Sequence, residues 1–266
     1  MRSITSRSNA LVARFRDLAN HPDVTGARLL LDGPHLVRDA HAAGLTFEHV
    51  AVSVSALDRG GDAATLARTL DASGHDVLTV SEPVLRAMSP VKTPTGIVAI
   101  AERVVPSGPI LLEDQEASFL VLADVQDPGN LGALVRVAEA GGISQVIVCG
   151  HSALPFGWRA IRGSMGSVLR MRIARLATID EALDALSVSR ARLIAAVPRG
   201  GLPPDAVSWG GRVAMILGGE GAGLSPAQLD RCDAQVTIPM CAPVESLNVG
   251  TAGAILIYAA RRQRSS

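Results

Sequence analysis

Four apolar runs in the second half of the chain limit what it can fold into: FLVLADV, SQVIVCG, ARLIAAV and RVAMILGG. Each is aliphatic and β-branched with almost no polar alternation, the pattern of strands covered on both faces. Helically spaced segments lie around them: one after DPGN, one near Trp158–Val168, one over Asp180–Leu186 and one over Pro226–Arg231. Short strands MRIARL and AQVTIPM, and a long helix from about Ser246, complete the pattern. Strands joined by helices run parallel, so the sequence predicts a doubly wound α/β sheet that binds its ligands at the carboxyl ends of its strands.

The first half alternates as well. A helix over Asn9–Ala19 carries Leu11, Val12, Phe15 and Leu18 at helical spacing. Strand RLLLDG, helix PHLVRDAHAAG, strand FEHVAVS, helix Ala63–Leu70, strand HDVLTV, helix EPVLRAMS and strand GIVAIAE follow. This half predicts a small α/β domain, 1–104. The Pro-, Gly- and acid-rich stretch VVPSGPILLEDQEAS breaks the rhythm and predicts a linker over 105–117, leaving 118–266 as the second domain.

Composition narrows the function classes. With 48% hydrophobic and 19% charged residues, the chain has the material for packed layers rather than disorder. Its net charge of zero leaves no global footprint for nucleic acid or membrane, so an RNA partner must be gripped locally. Cys149, Cys232 and Cys241 stand far apart in apolar contexts, without metal-ligand spacing, and read as buried thiols of a cytoplasmic protein. The N-terminal segment does not read as a signal peptide, and no run reaches the length of a membrane span.

Three strand ends carry unusual residues. FLVLADV leads into QDPGN and a helix where Arg136 stands among Leu131, Leu134, Val135, Val137 and Ala138. RVAMIL leads into GGEGAGLSP (218–226), and AQVTIPM into CAPVESLNVGTAG (241–253). The glycine loop allows close backbone approach to a ligand, but it is not a dinucleotide fingerprint: Pro226 stands where the third motif glycine would fall. No Walker lysine follows, and Glu220 would repel a phosphate. Taken singly, each feature also has an ordinary reading. The loop is then a plain turn, Asn130 a helix cap, and Ser246 a cap with Asn248 in the first turn. Arg136 is a snorkelling side chain that pairs with Glu139.

In this order, DPGNLGALVR, ILGGEGAGLSP and IPMCAPVESLNVGTAGA resemble the three signature motifs of the SpoU (TrmH-type, SPOUT superfamily) RNA ribose 2′-O-methyltransferases. The matching residues are Asn130, Gly132 and Arg136; Gly219, Glu220 and Gly221; and Ser246, Leu247 and Asn248. IRGSMGSVLRM is similar to the family's intervening segment. SRSNALVARFRDL, LLLDGPHLVRDAHAAG and TPTGIVAI resemble its small, ribosomal-protein-like substrate-binding domain.

The resemblance implies a trefoil knot in the C-terminal domain, a homodimer, and S-adenosylmethionine as cofactor without a metal. It assigns the cofactor to Gly218, Ile238 and Leu247, with Leu217, Gly219, Met240 and Ser246 nearby. It gives Arg136 the proton-accepting role. A guanidinium stays protonated at neutral pH, so Arg136 is better suited to binding the neighbouring phosphate and polarising the hydroxyl. Asn130 and Asn248 would orient neighbouring groups, with Glu220 supporting them. The acid-free stretch WRAIRGSMGSVLRMRIAR offers Arg159, Arg162, Arg170, Arg172 and Arg175 for RNA phosphates, or forms a solvated face. The separate front domain favours ribosomal RNA, in particular 23S, over transfer RNA. A non-catalytic RNA-binding protein on this fold and a nicotinamide-dependent oxidoreductase are the competing classes. The retained motif residues speak against the first, and the failed glycine spacing against the second.

Overall fold

The computed structural model describes residues 1–105, 114–219, 221 and 223–264. The chain divides into two compact units. The first joins Met1–Val105 to Phe156–Leu169; the described residues of the second lie within 114–155 and 170–264.

The first unit is built from β1 (Arg2–Ile4), α1 (Ala10–Asn20), β2 (Arg28–Asp32), α2 (Pro34–Ala42), β3 (Thr46–Ser53), α3 (Val54–Arg59), α4 (Asp62–Ala72), β4 (Val77–Val80), α5 (Glu82–Met88) and β5 (Ile97–Glu102). Its sheet order is β1-β4-β3-β5-β2; β1, β4 and β3 run parallel, and β5 is antiparallel to both β3 and β2. Val12 and Phe15 of α1 and Leu85 and Met88 of α5 share a core with Leu30, Leu78, Val98 and Ile100 of the strands. The α1 prediction holds because Asn9 caps it, its side chain accepting from the Leu11 amide at 2.9 Å. β1 and α3 are absent from the sequence reading, since three and six residues are too short to display a period.

Next come β6 (Ser118–Ala123), α6 (Pro128–Gly141), β7 (Gln145–Cys149), α7 (Trp158–Gly163), α8 (Ser167–Arg170), β8 (Ile173–Leu176), α9 (Ile179–Val188), β9 (Arg192–Ala196), β10 (Val213–Gly218), α10 (Pro226–Leu229), β11 (Ala234–Val236) and α11 (Val249–Arg264). The helix predicted over Trp158–Val168 is two short ones, broken where Met165 and Gly166 take φ of 49° and 83°. This segment packs with the first unit, whereas the sequence groups it with 118–266. Trp158 lies against the first core and donates from Nε1 to the Ala19 carbonyl at 3.1 Å, and Arg103 covers the Phe156 ring at 3.8 Å. Chain continuity hides such an excursion.

The second sheet has the order β11-β9-β10-β6-β7-β8 and is parallel throughout. On one face, Phe119, Val121, Ala214 and Ile216 pack under Ala182, Leu183 and Leu186 of α9. Alternation turns the buried Leu120, Leu122, Met215 and Leu217 to the other face. There α6 and α11 lie together, with Gly253 of α11 against Leu134 of α6 and Leu217 of β10. The sheet is thus doubly wound, as predicted. β11 ends at Val236 and α11 starts at Val249, so 237–248 is an irregular connection between them. No described helix is long and apolar enough to cross a membrane.

Candidate active site

Asp124 follows β6 directly and lies in the left-handed region, φ 58°. Its carboxylate accepts from the His151 amide at 2.7 Å, tying this turn to the end of β7. Three residues on, Asp127 caps α6 by accepting from the Asn130 amide at 2.7 Å, and Pro128 occupies the first turn. Asn130 is therefore not the cap. Its side-chain oxygen accepts from Asn248 Nδ2 at 3.2 Å, across 118 residues of sequence. Asn248 in turn accepts from the amides of Gly250 and Thr251 at 2.9 and 3.3 Å, so it caps α11, the role the ordinary reading gave to Ser246.

The glycine loop enters from β10. A Cβ on Gly219 would collide with the Asp124 carbonyl, and one on Gly218 would come within 3.0 Å of the Gly223 backbone. These glycines are required by close approach. Together the strand ends enclose a cavity of about 710 Å³. Leu217, Gly218, Gly219, Ile238, Met240, Ser246 and Leu247, the seven residues predicted to hold the cofactor, all line it, as does Asn248.

Arg136 stands apart. It is exposed and does not line the cavity, and Glu139 is engaged by Arg170 in a bidentate pair at 2.7 and 2.8 Å, not by Arg136. Glu220 lies outside the described residues. Of the arginine stretch, Arg159, Arg162, Arg170, Arg172 and Arg175 are all exposed, but they divide between the two units, and Arg170 is occupied by Glu139. The sequence missed one wall of the cavity: Ala196, Val197, Pro198 and Arg199, which follow β9. β9 lies beside β10, so its end opens into the same cleft, but strand order is not written in any local pattern.

The thiols differ from the expectation of three buried ones. Burial, reinforced by the charges of Asp124, Asp180 and Glu181, pushes Cys149 up to about 12. Burial and Asp233 push Cys232 up to about 11 against the pull of Arg231. Cys241 is exposed on the irregular segment after β11. Among the described residues, no three metal-ligating side chains converge.

Fold and site define the class: a two-unit α/β protein whose parallel sheet holds a nucleoside-sized cavity, apolar and glycine-backed, at its strand ends. The SpoU rRNA Methylase family model matches residues 117–258. An uncharacterised tRNA/rRNA methyltransferase of Synechocystis sp. is 33% identical, covering 98% of this chain and 94% of the relative. The Bacillus subtilis 23S rRNA (guanosine(2553)-2′-O)-methyltransferase RlmP is 27% identical, over 97% and 98%. The crystal structure of an AdoMet-bound rRNA methyltransferase from Sinorhizobium meliloti superposes with a TM-score of 0.84 at 27% identity, covering 98% and 97% of the two chains. The chain belongs to the SpoU family of RNA methyltransferases.

Proposed function

We propose that this chain transfers a methyl group from S-adenosylmethionine to a ribose 2′-hydroxyl of 23S ribosomal RNA. The observation that carries the reading is the cavity lined by Leu217, Gly218, Gly219, Ile238, Met240, Ser246 and Leu247, joined to the Asn130–Asn248 hydrogen bond at its edge. The residues fit the cofactor. Leu217, Val236, Ile238, Leu247 and Leu256 offer apolar surface for an adenine, and the backbone of the glycine loop offers hydrogen bonds to its edge and ribose. When bound, the cofactor supplies an activated sulfonium methyl, so the protein's share is proximity and orientation. Asn248 is held at both ends, by Asn130 and by the α11 amides, and presents a fixed polar edge beside the cavity. Arg136, exposed and on the same helix as Asn130, binds the phosphate next to the target ribose and polarises its hydroxyl.

Ribosomal RNA is favoured over transfer RNA because the ribosomal enzyme of B. subtilis matches both units of this chain over nearly its whole length. We also infer a metal-free homodimer in the cytoplasm. The exposed Ile255 and Tyr258, three apart on α11, support a self-association face. The knot is supported by the path of 237–248, which leaves the edge strand β11 for a helix packed on β10 and α6. The test is calorimetric binding of S-adenosylmethionine, followed by methylation of 23S and transfer RNA from a deletion strain with mapping of the modified ribose. Arg136→Ala should bind the cofactor like wild type and lose transfer by at least about a hundredfold. Transfer near the wild-type rate would remove Arg136 from the mechanism.

A further inference from the structure

Arg199 is the only charged side chain among the described residues lining the cavity. It sits on a turn held firmly at both ends. The Val197 amide donates to the Val236 carbonyl at 2.9 Å, and the Gly201 amide donates to Thr237 Oγ1 at 2.8 Å. Thr237 Oγ1 donates back to the Val197 carbonyl at 3.1 Å, and Leu202 and Gln235 close the turn at 2.9 Å. The backbone is fixed, and the long side chain reaches the cavity mouth. There its Nη2 lies 3.4 Å from Glu245 Oε1, with the two side chains 72% and 83% exposed. Such an exposed pair is weak and readily exchanged for another anion.

The remaining described lining is apolar or uncharged, and Asn248 is already committed to Asn130 and to α11. Resting on the cofactor reading above, we propose that Arg199 binds the α-carboxylate of the cofactor's methionyl tail, giving up Glu245 to do so. A carboxylate brought into this cavity needs a charged partner, and the planar guanidinium matches it in a two-pronged geometry. The site then reads a ligand at two ends, an adenosine in the glycine-backed interior and an amino-acid carboxylate at the mouth.

Calorimetry with two probes separates these ends. S-adenosylhomocysteine carries the amino-acid tail, and 5′-methylthioadenosine has the same adenosine and thioether without it. Arg199→Gln should weaken S-adenosylhomocysteine about fivefold and leave methylthioadenosine within about twofold of wild type. Glu245→Gln, which removes the competing anion and keeps the guanidinium, should not weaken either probe. Equal loss of both probes in Arg199→Gln would mean that Arg199 only shapes the turn. Unchanged S-adenosylhomocysteine binding would assign the carboxylate to loop amides. Weakening by Glu245→Gln as strong as that by Arg199→Gln would mean the ion pair acts as a clamp, and each of these three results overturns the proposal. If wild type binds neither probe, the cofactor reading of the cavity falls first.

Discussion

Asp124 occupies a backbone region that costs most L-residues about 1 kcal/mol or more, and that Asp and Asn tolerate best. Its carboxylate holds the His151 amide, while its carbonyl lies where a Gly219 side chain would be. One residue thus locks the first motif's approach to the second. Asp124→Ala should lose about 1–3 kcal/mol in chemical denaturation, from the left-handed backbone and the broken hydrogen bond. Asp124→Asn, which keeps an acceptor and tolerates the conformation, should lose under about 1 kcal/mol. Equal losses would show that the turn does not depend on this side chain. Nothing in DVQDPGN advertises this role, because the contact that defines it lies 95 residues further on, at Gly219.

At the scale of elements, α6 and α11 approach closely because small residues face large ones. Gly141 sits under Ile257, and Gly253 under Leu134 and Leu217. Leu217 also lines the cavity, so this helix contact sets one of its walls. Gly253→Val should cost about 1–3 kcal/mol and lower the thermal midpoint, with weaker cofactor binding as Leu217 shifts. Gly253→Ala should cost less, since the nearest atom is the end of the Leu134 side chain. A valine variant as stable as wild type would mean that the helices separate freely. The long elements of both units were legible because apolar runs and helical spacing follow from what each segment must bury. The seven cavity residues came from a motif resemblance, and no periodicity marks them. The β9 wall with Arg199, the capping role of Asn248 and the packing of 156–169 with the first unit depend on which segments become neighbours in space. A local pattern does not encode that.

Over the whole molecule, the thiols report how completely the sheet is sealed. Cys149 and Cys232 hold their protons well above neutral pH and sit within or against the α9-side core, whereas Cys241 is exposed. Native protein should release one equivalent of chromophore from a disulfide reagent, and the count should stay at one between about pH 7 and 9. Unfolded protein should release three, matching its three cysteines. A second fast thiol in the native state would show that the sheet opens along β7 or beside α10. The cavity carries a different consequence, one of timing. Its described walls come from residues 196–199, from 217–219, 221, 223 and 224, from 229, from 235, 236, 238 and 240, and from 246–249, 252 and 256. A growing polypeptide therefore lays down its first unit and most of its central sheet long before the last wall exists. Until α11 has been synthesised and seated, the nascent chain has every strand of its central sheet but an unfinished cavity.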